Sequence, residues 1–66
     1  MTTGERIKAA REAAGLTQQQ LGEAVGLVPA SAQPHVSSWE RGDRPIPRKR
    51  LKDAARVLGL RLSDLI

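Results

Sequence analysis

Gln33, His35, Ser37 and Ser38 place four hydrogen-bonding side chains within six positions, with Val36 and Trp39 between and beside them. A glutamine amide donates and accepts at once, so Gln33 can pair with both N6 and N7 of an adenine. Serine hydroxyls can meet base edges or phosphates with less discrimination, and an imidazole N–H can donate to a guanine acceptor. Immediately downstream, Arg41, Arg44, Arg48, Lys49, Arg50 and Lys52 concentrate six of the eleven basic residues in a stretch whose only acid is Asp43. A basic patch of this kind is the electrostatic footprint of a polyanion binder. The same residues do not assemble a catalytic site. Ser37 or Ser38 with His35 would sit on one short segment without an acid nearby in sequence to orient the imidazole. Glu5, Glu12 and Glu23 fall on polar helix faces, and no phosphate-cradling glycine motif is present. With no cysteine and a single histidine, a metal site has no donor set. The expectation is a non-enzyme without cofactor.

The elements that must position these side chains are helical. Residues 4–14 carry Ile7, Ala10 and Ala14 on one face, with Thr3 as the expected cap and Gly15 as the stop. Thr17 caps a second helix over 17–25, where Leu21, Ala24 and Val25 form an apolar face and Gly26 ends it. Residues 26–31 read as a turn, because Pro29 biases Val28 away from helix. A third helix over about 32–40 then follows, opened by Ser31, with Pro34 tolerated in its first turn and Gly42 as its stop. Two short helices joined through glycine are the helix-turn-helix plan. Residues 41–47 form a loop. A fourth helix spans about 47–58 with Leu51, Ala54, Ala55 and Leu58 inward, and residues 63–66 begin a fifth. The expected core is Ile7, Leu16, Leu21, Val25, Val36, Trp39, Leu51, Leu58, Leu60 and Leu65. The fold class is thus all-α, a compact five-helix bundle forming one domain over residues 1–66.

The chain has 66 residues and a net charge of +4. A domain this small buries a modest fraction of its surface, so its stability is expected to be marginal. The absence of cysteine fits a reducing compartment. No apolar run approaches the roughly 20 residues that span a bilayer, and the N-terminus lacks a signal-peptide core. A cytoplasmic protein without membrane contact is expected.

The order GERIKAAREAAGLTQQQLGEAVG, then HVSSWERG, then a proline-containing loop, then LKDAARVLGLRLSDL resembles the Cro/C1-type (XRE-type) helix-turn-helix DNA-binding domain, as found in lambdoid phage repressors. The resemblance covers about residues 4–66 and implies a bacterial or phage-encoded regulator. Matched outward from Val36, it puts Gln33, Pro34, Ser37 and Ser38 at base-reading positions with His35 beside them. Pro34 there can offer only an apolar contact, for example to a thymine methyl. It implies phosphate contacts from Thr17 and Gln18 at the start of helix 2, and from Arg41, Arg44 and Arg48 in the loop and the start of helix 4. Lys49 and Arg50 are weaker candidates. It also pairs Arg11 with Glu40 as an ion pair beside Trp39. One departure stands out: residues 27–35 separate Gly26 from Val36, a longer stretch than the family carries there. The two prolines make an extended turn between helices 2 and 3 the expected way to hold the extra residues.

The function these features imply is a sequence-specific double-stranded DNA-binding transcriptional regulator, a repressor, acting as a homodimer on a palindromic operator. The dimer surface is expected around Leu60, Leu62, Leu65 and Ile66. The alternative is an antitoxin or bridging module whose main partner is another protein, such as a toxin. RNA binding suffers from the lack of exposed aromatics for stacking.

Overall fold

The computed structural model describes residues 1–66. The chain is all-α: α1 (Thr3–Ala13), α2 (Gln18–Ala24), α3 (Pro29–Arg41) and α4 (Arg48–Leu58), followed by a single 3-10 turn at Leu62–Asp64. The bundle therefore has four helices, not five. The segment expected as a fifth helix bonds three residues back instead of four, from the Asp64 N–H to the Arg61 carbonyl and from the Leu65 N–H to the Leu62 carbonyl, which is the 3-10 pattern. No helix is long and apolar enough to cross a membrane.

Two of the starts are fixed by reciprocal capping. The Thr2 hydroxyl accepts from the Glu5 N–H at 3.1 Å, and a Glu5 carboxylate oxygen accepts from the Thr2 N–H at 2.8 Å. The cap is thus Thr2, one residue before Thr3. These bonds from Thr2 also hold the Glu5 carboxyl below its ordinary pKa. Thr17 and Gln20 repeat the arrangement at the start of α2, at 3.0 and 2.9 Å. Both are the Thr-x-x-Glu/Gln capping box, in which two orphan N–H groups of the first turn are satisfied at once.

α3 departs most from expectation. It begins at Pro29, so the connection to α2 is only residues 25–28, and the extra residues lengthen the helix instead of extending the turn. Pro29 occupies the first helical position, where its missing N–H would have had no partner and its fixed φ suits the helix. Pro34 lies in the second turn. It forfeits a bond to the Ala30 carbonyl, but residues 30 and 34 are both exposed, so water can satisfy that oxygen. Ser31, expected as the cap, lies inside the helix, and Val28 takes the cap position without a side-chain bond.

The added turn is held by α2. Ala32 is fully buried against Gly22, and the Gln19 amide donates to the Pro29 carbonyl at 2.9 Å. A Cβ on Gly22 would stand 2.6 Å from the Ala32 Cβ and 2.7 Å from its Cα, closer than side chains tolerate. The Gly22→Ala variant should therefore lose about 1–2 kcal/mol of unfolding free energy, despite alanine's better helix propensity. Urea unfolding of that variant beside wild type measures the difference.

The core contains Ile7, Leu21, Val25, Val36, Trp39, Leu51, Ala54, Ala55 and Leu65. Trp39 is buried. Leu16 and Leu58 are only half-buried, and Leu60 is exposed, because Gly59 turns the chain in the left-handed conformation at φ 71° and carries Leu60 off the α4 face.

Candidate nucleic-acid interface

At about 3.6 residues per turn, Pro29, Ala30, Gln33, Pro34, Ser37 and Arg41 fall on one side of α3. All are exposed except the half-buried Ser37, while Ala32, Val36 and Trp39 are buried on the other side, and Glu40, seven positions after Gln33, is buried at the edge of the strip. This outward strip joins the start of α2 through one hydrogen bond: the Gln33 Nε2 donates to the Gln18 Oε1 at 2.9 Å. Gln18 in turn donates from Nε2 to the Glu40 Oε1 at 3.0 Å. Glu40 also accepts from Arg11, at 2.6 Å from Nε and 3.2 Å from Nη2, and Arg11 Nη1 donates to the Leu16 carbonyl at 2.8 Å.

The direction of this relay follows from its buried end. An ionised carboxylate only accepts and a guanidinium only donates. Gln18 must therefore show its amide N–H to Glu40 and its oxygen to Gln33, and Gln33 must spend one N–H on Gln18. What Gln33 has left is its carbonyl oxygen and one N–H, side by side. That pair matches the N6 donor and N7 acceptor of adenine. The Arg11 and Glu40 side chains are only 10 % and 3 % exposed. Hydrogen bonding to Glu40 raises the Arg11 pKa further above its ordinary value. The stability this gives is present below that ordinary value and fades only as pH rises through the higher folded one. Arg11 is therefore charged throughout the working range.

The other residues singled out in the sequence divide. The Ser37 hydroxyl lies on the outward strip and accepts from Arg41 Nη1. Ser38 is half-buried at the flank, next to Pro34 on the helical wheel. His35 is not brought to the strip. Its ring packs edge-on against Trp39, with centroids 6.4 Å apart, and its Nδ1 lies 2.8 Å from the Ser31 carbonyl. A carbonyl only accepts, so Nδ1 carries the hydrogen. Arg41 also bonds Asp43 at 2.8 Å in an exposed pair, an arrangement that contributes about 0–1 kcal/mol and leaves the arginine free to exchange partners. Arg44 and Arg48 are exposed and lie in the loop and at the first residue of α4. Arg50 is occupied within the fold. Its Nη1 donates to the Val25 carbonyl at 2.7 Å and so satisfies the C-terminal end of α2. Thr17 and Gln18 stand at the α2 start, where free N–H groups and the helix dipole favour an anion.

A helix-turn-helix family model matches residues 7–65. The chain belongs to the Cro/C1-type helix-turn-helix family. Its members are DNA-binding regulatory domains. Searches of curated proteins and of solved structures returned no match. In helix-turn-helix terms, α2 and α3 are the motif. Sequence reading missed Gln19, Gly22 and Ala32, which fix how α3 sits on α2. The capping-box spacing from Thr17 to Gln20 was legible. The Gly22–Ala32 contact was not, because two small residues ten positions apart carry no periodic signal.

Proposed function

We propose that this helix-turn-helix domain is a transcriptional repressor that binds double-stranded DNA sequence-specifically. It lays α3 in the major groove as a homodimer on a palindromic operator. The observation that carries the reading is the relay from the buried Arg11–Glu40 pair through Gln18 to Gln33. It delivers one oriented amide to the outer face of the recognition helix. Gln33 reads a base edge, with Pro34, Ser37 and Ser38 beside it. Arg41 on the strip, Thr17 and Gln18 at the start of α2, and Arg44 and Arg48 beyond α3 contact phosphates, which set register without reading sequence. His35 supports the helix through Trp39 and is the weakest of the base readers. For the dimer, Leu60 and Ile66 are exposed at 36 % and 63 %, whereas Leu65 is fully buried and belongs to the core. Leu60 and Ile66, with half-buried Leu62, supply the apolar contact between copies. Two-fold symmetry then spaces the half-sites about 34 Å apart.

Selection of bound duplexes from a random pool tests this reading. The expected product is an inverted repeat with half-site centres about 10–10.5 base pairs apart or a multiple of that spacing. A pool that shows no sequence preference at moderate salt would overturn it.

A further inference from the structure

The added turn of α3 changes the composition of the reading strip. Ahead of Gln33 it presents Pro29 and Ala30, with Pro34 on its other side, and Val28 stands 65 % exposed at the point where the helix begins. None of these side chains has a hydrogen-bonding group, so none can read a base edge by donor and acceptor pattern. Pro29, Ala30 and Pro34 are exposed on the same face as Gln33, Ser37 and Arg41, where an isolated domain would gain nothing by it, and Val28 is exposed at the cap just ahead of them. The segment is also held in place, because Ala32 is buried on Gly22 and the Gln19 amide holds the Pro29 carbonyl. The one apolar group that a base pair displays in the major groove is the C5-methyl of thymine, and 5-methylcytosine offers the same chemistry there.

We infer that Val28, Pro29, Ala30 and Pro34 form a methyl-reading surface that makes this domain prefer 5-methylpyrimidines next to the base pair read by Gln33. The inference rests on the DNA-binding reading above. One helical turn is about 5.4 Å and base pairs rise about 3.4 Å, so the methyls read lie within about two base pairs of the Gln33-dependent pair. Burying one methyl contributes about fourfold in affinity, equivalent to about 0.8 kcal/mol.

The test uses the duplex recovered by selection and three proteins: wild type, Val28→Ser/Ala30→Ser, and Gln33→Ala. Thymines are replaced one at a time by uracil, and cytosines by 5-methylcytosine, and affinities are compared at fixed salt. For wild type, uracil should weaken binding about fourfold per methyl at one or two positions beside the Gln33-dependent pair, and nowhere else. If 5-methylcytosine at a neighbouring step strengthens binding, the methyl itself is the feature read. If it does not, the methyl is not the feature read, and the inference fails. The Val28→Ser/Ala30→Ser protein should lose the uracil effect while keeping the base preference set by Gln33. Both substituted residues are exposed, so the fold should survive, and thermal unfolding checks that. Equal wild-type affinity for thymine and uracil duplexes, with the Gln33→Ala effect intact, would overturn the inference alone. A selection that recovers no preferred duplex would overturn it together with the reading on which it rests.

Discussion

Glu40→Ala is expected to lower the unfolding free energy by about 3–5 kcal/mol, because it leaves the Arg11 guanidinium buried without its counter-charge. A domain of this length has a total stability of about 3–10 kcal/mol. The variant should therefore lose about a third or more of its stability, and thermal or urea unfolding would show it directly. Arg11→Ala should be comparably damaging, since it strands the carboxylate and also frees the Leu16 carbonyl. Arg11→Met combined with Glu40→Leu removes both charges and should recover most of the loss, as buried ion pairs replaced by apolar residues often do. Glu40→Gln should also be destabilising, because it removes the counter-charge and turns an amide N–H toward one of the two Arg11 donors from which Glu40 now accepts. Its amide can also donate to Gln18, so Gln18 loses its fixed direction, and Gln33 with it.

The second large effect is on affinity. On the proposed reading, Thr17, Gln18, Arg41, Arg44 and Arg48 contact about three to five phosphates per protomer. A dimer then makes roughly six to ten contacts, and binding should weaken about 10³- to 10⁵-fold between 50 and 200 mM salt. The plot of log K against log salt should have a slope near −0.9 per phosphate. Arg44→Ala or Arg48→Ala should flatten it by about one unit each per protomer while leaving the base preference unchanged. Arg50→Ala should behave differently. Its guanidinium caps α2, so its loss should reduce stability by about 1–3 kcal/mol, through an unsatisfied carbonyl, more than it changes the slope.

How much of this was legible in the sequence differs between elements. Helices 1, 2 and 4 carry periodic apolar faces bounded by threonine, glycine or proline, and their bounds emerge within two residues. Pro29 and Pro34 misled, because a proline's local preference opposes helix while its position decides whether anything is lost. At the first position of α3, Pro29 forfeits no hydrogen bond, and on the exposed face Pro34 forfeits one that water can replace. Burial of Ala32 on Gly22 then favours helix over loop, and no local signal reports a contact of that kind. Leu60 misled for a similar reason, since its hydrophobicity marks it for the core and only the turn at Gly59 carries it out. The polar face of α3 could be read residue by residue, except His35, whose ring reaches back to Trp39 and the Ser31 carbonyl. The relay through Gln18 was beyond reach, because it joins residues from three helices whose packing must be known first.

The most direct test of the central claim, that Gln33 is an oriented base reader, is duplex selection performed in parallel with wild type and Gln33→Ala. The expected result is an inverted repeat for both proteins. In the variant, preference should be lost at one symmetric base pair, an adenine contact contributing about 1–3 kcal/mol, with all other positions unchanged. Uniform weakening at every position, or an unchanged motif, would contradict it.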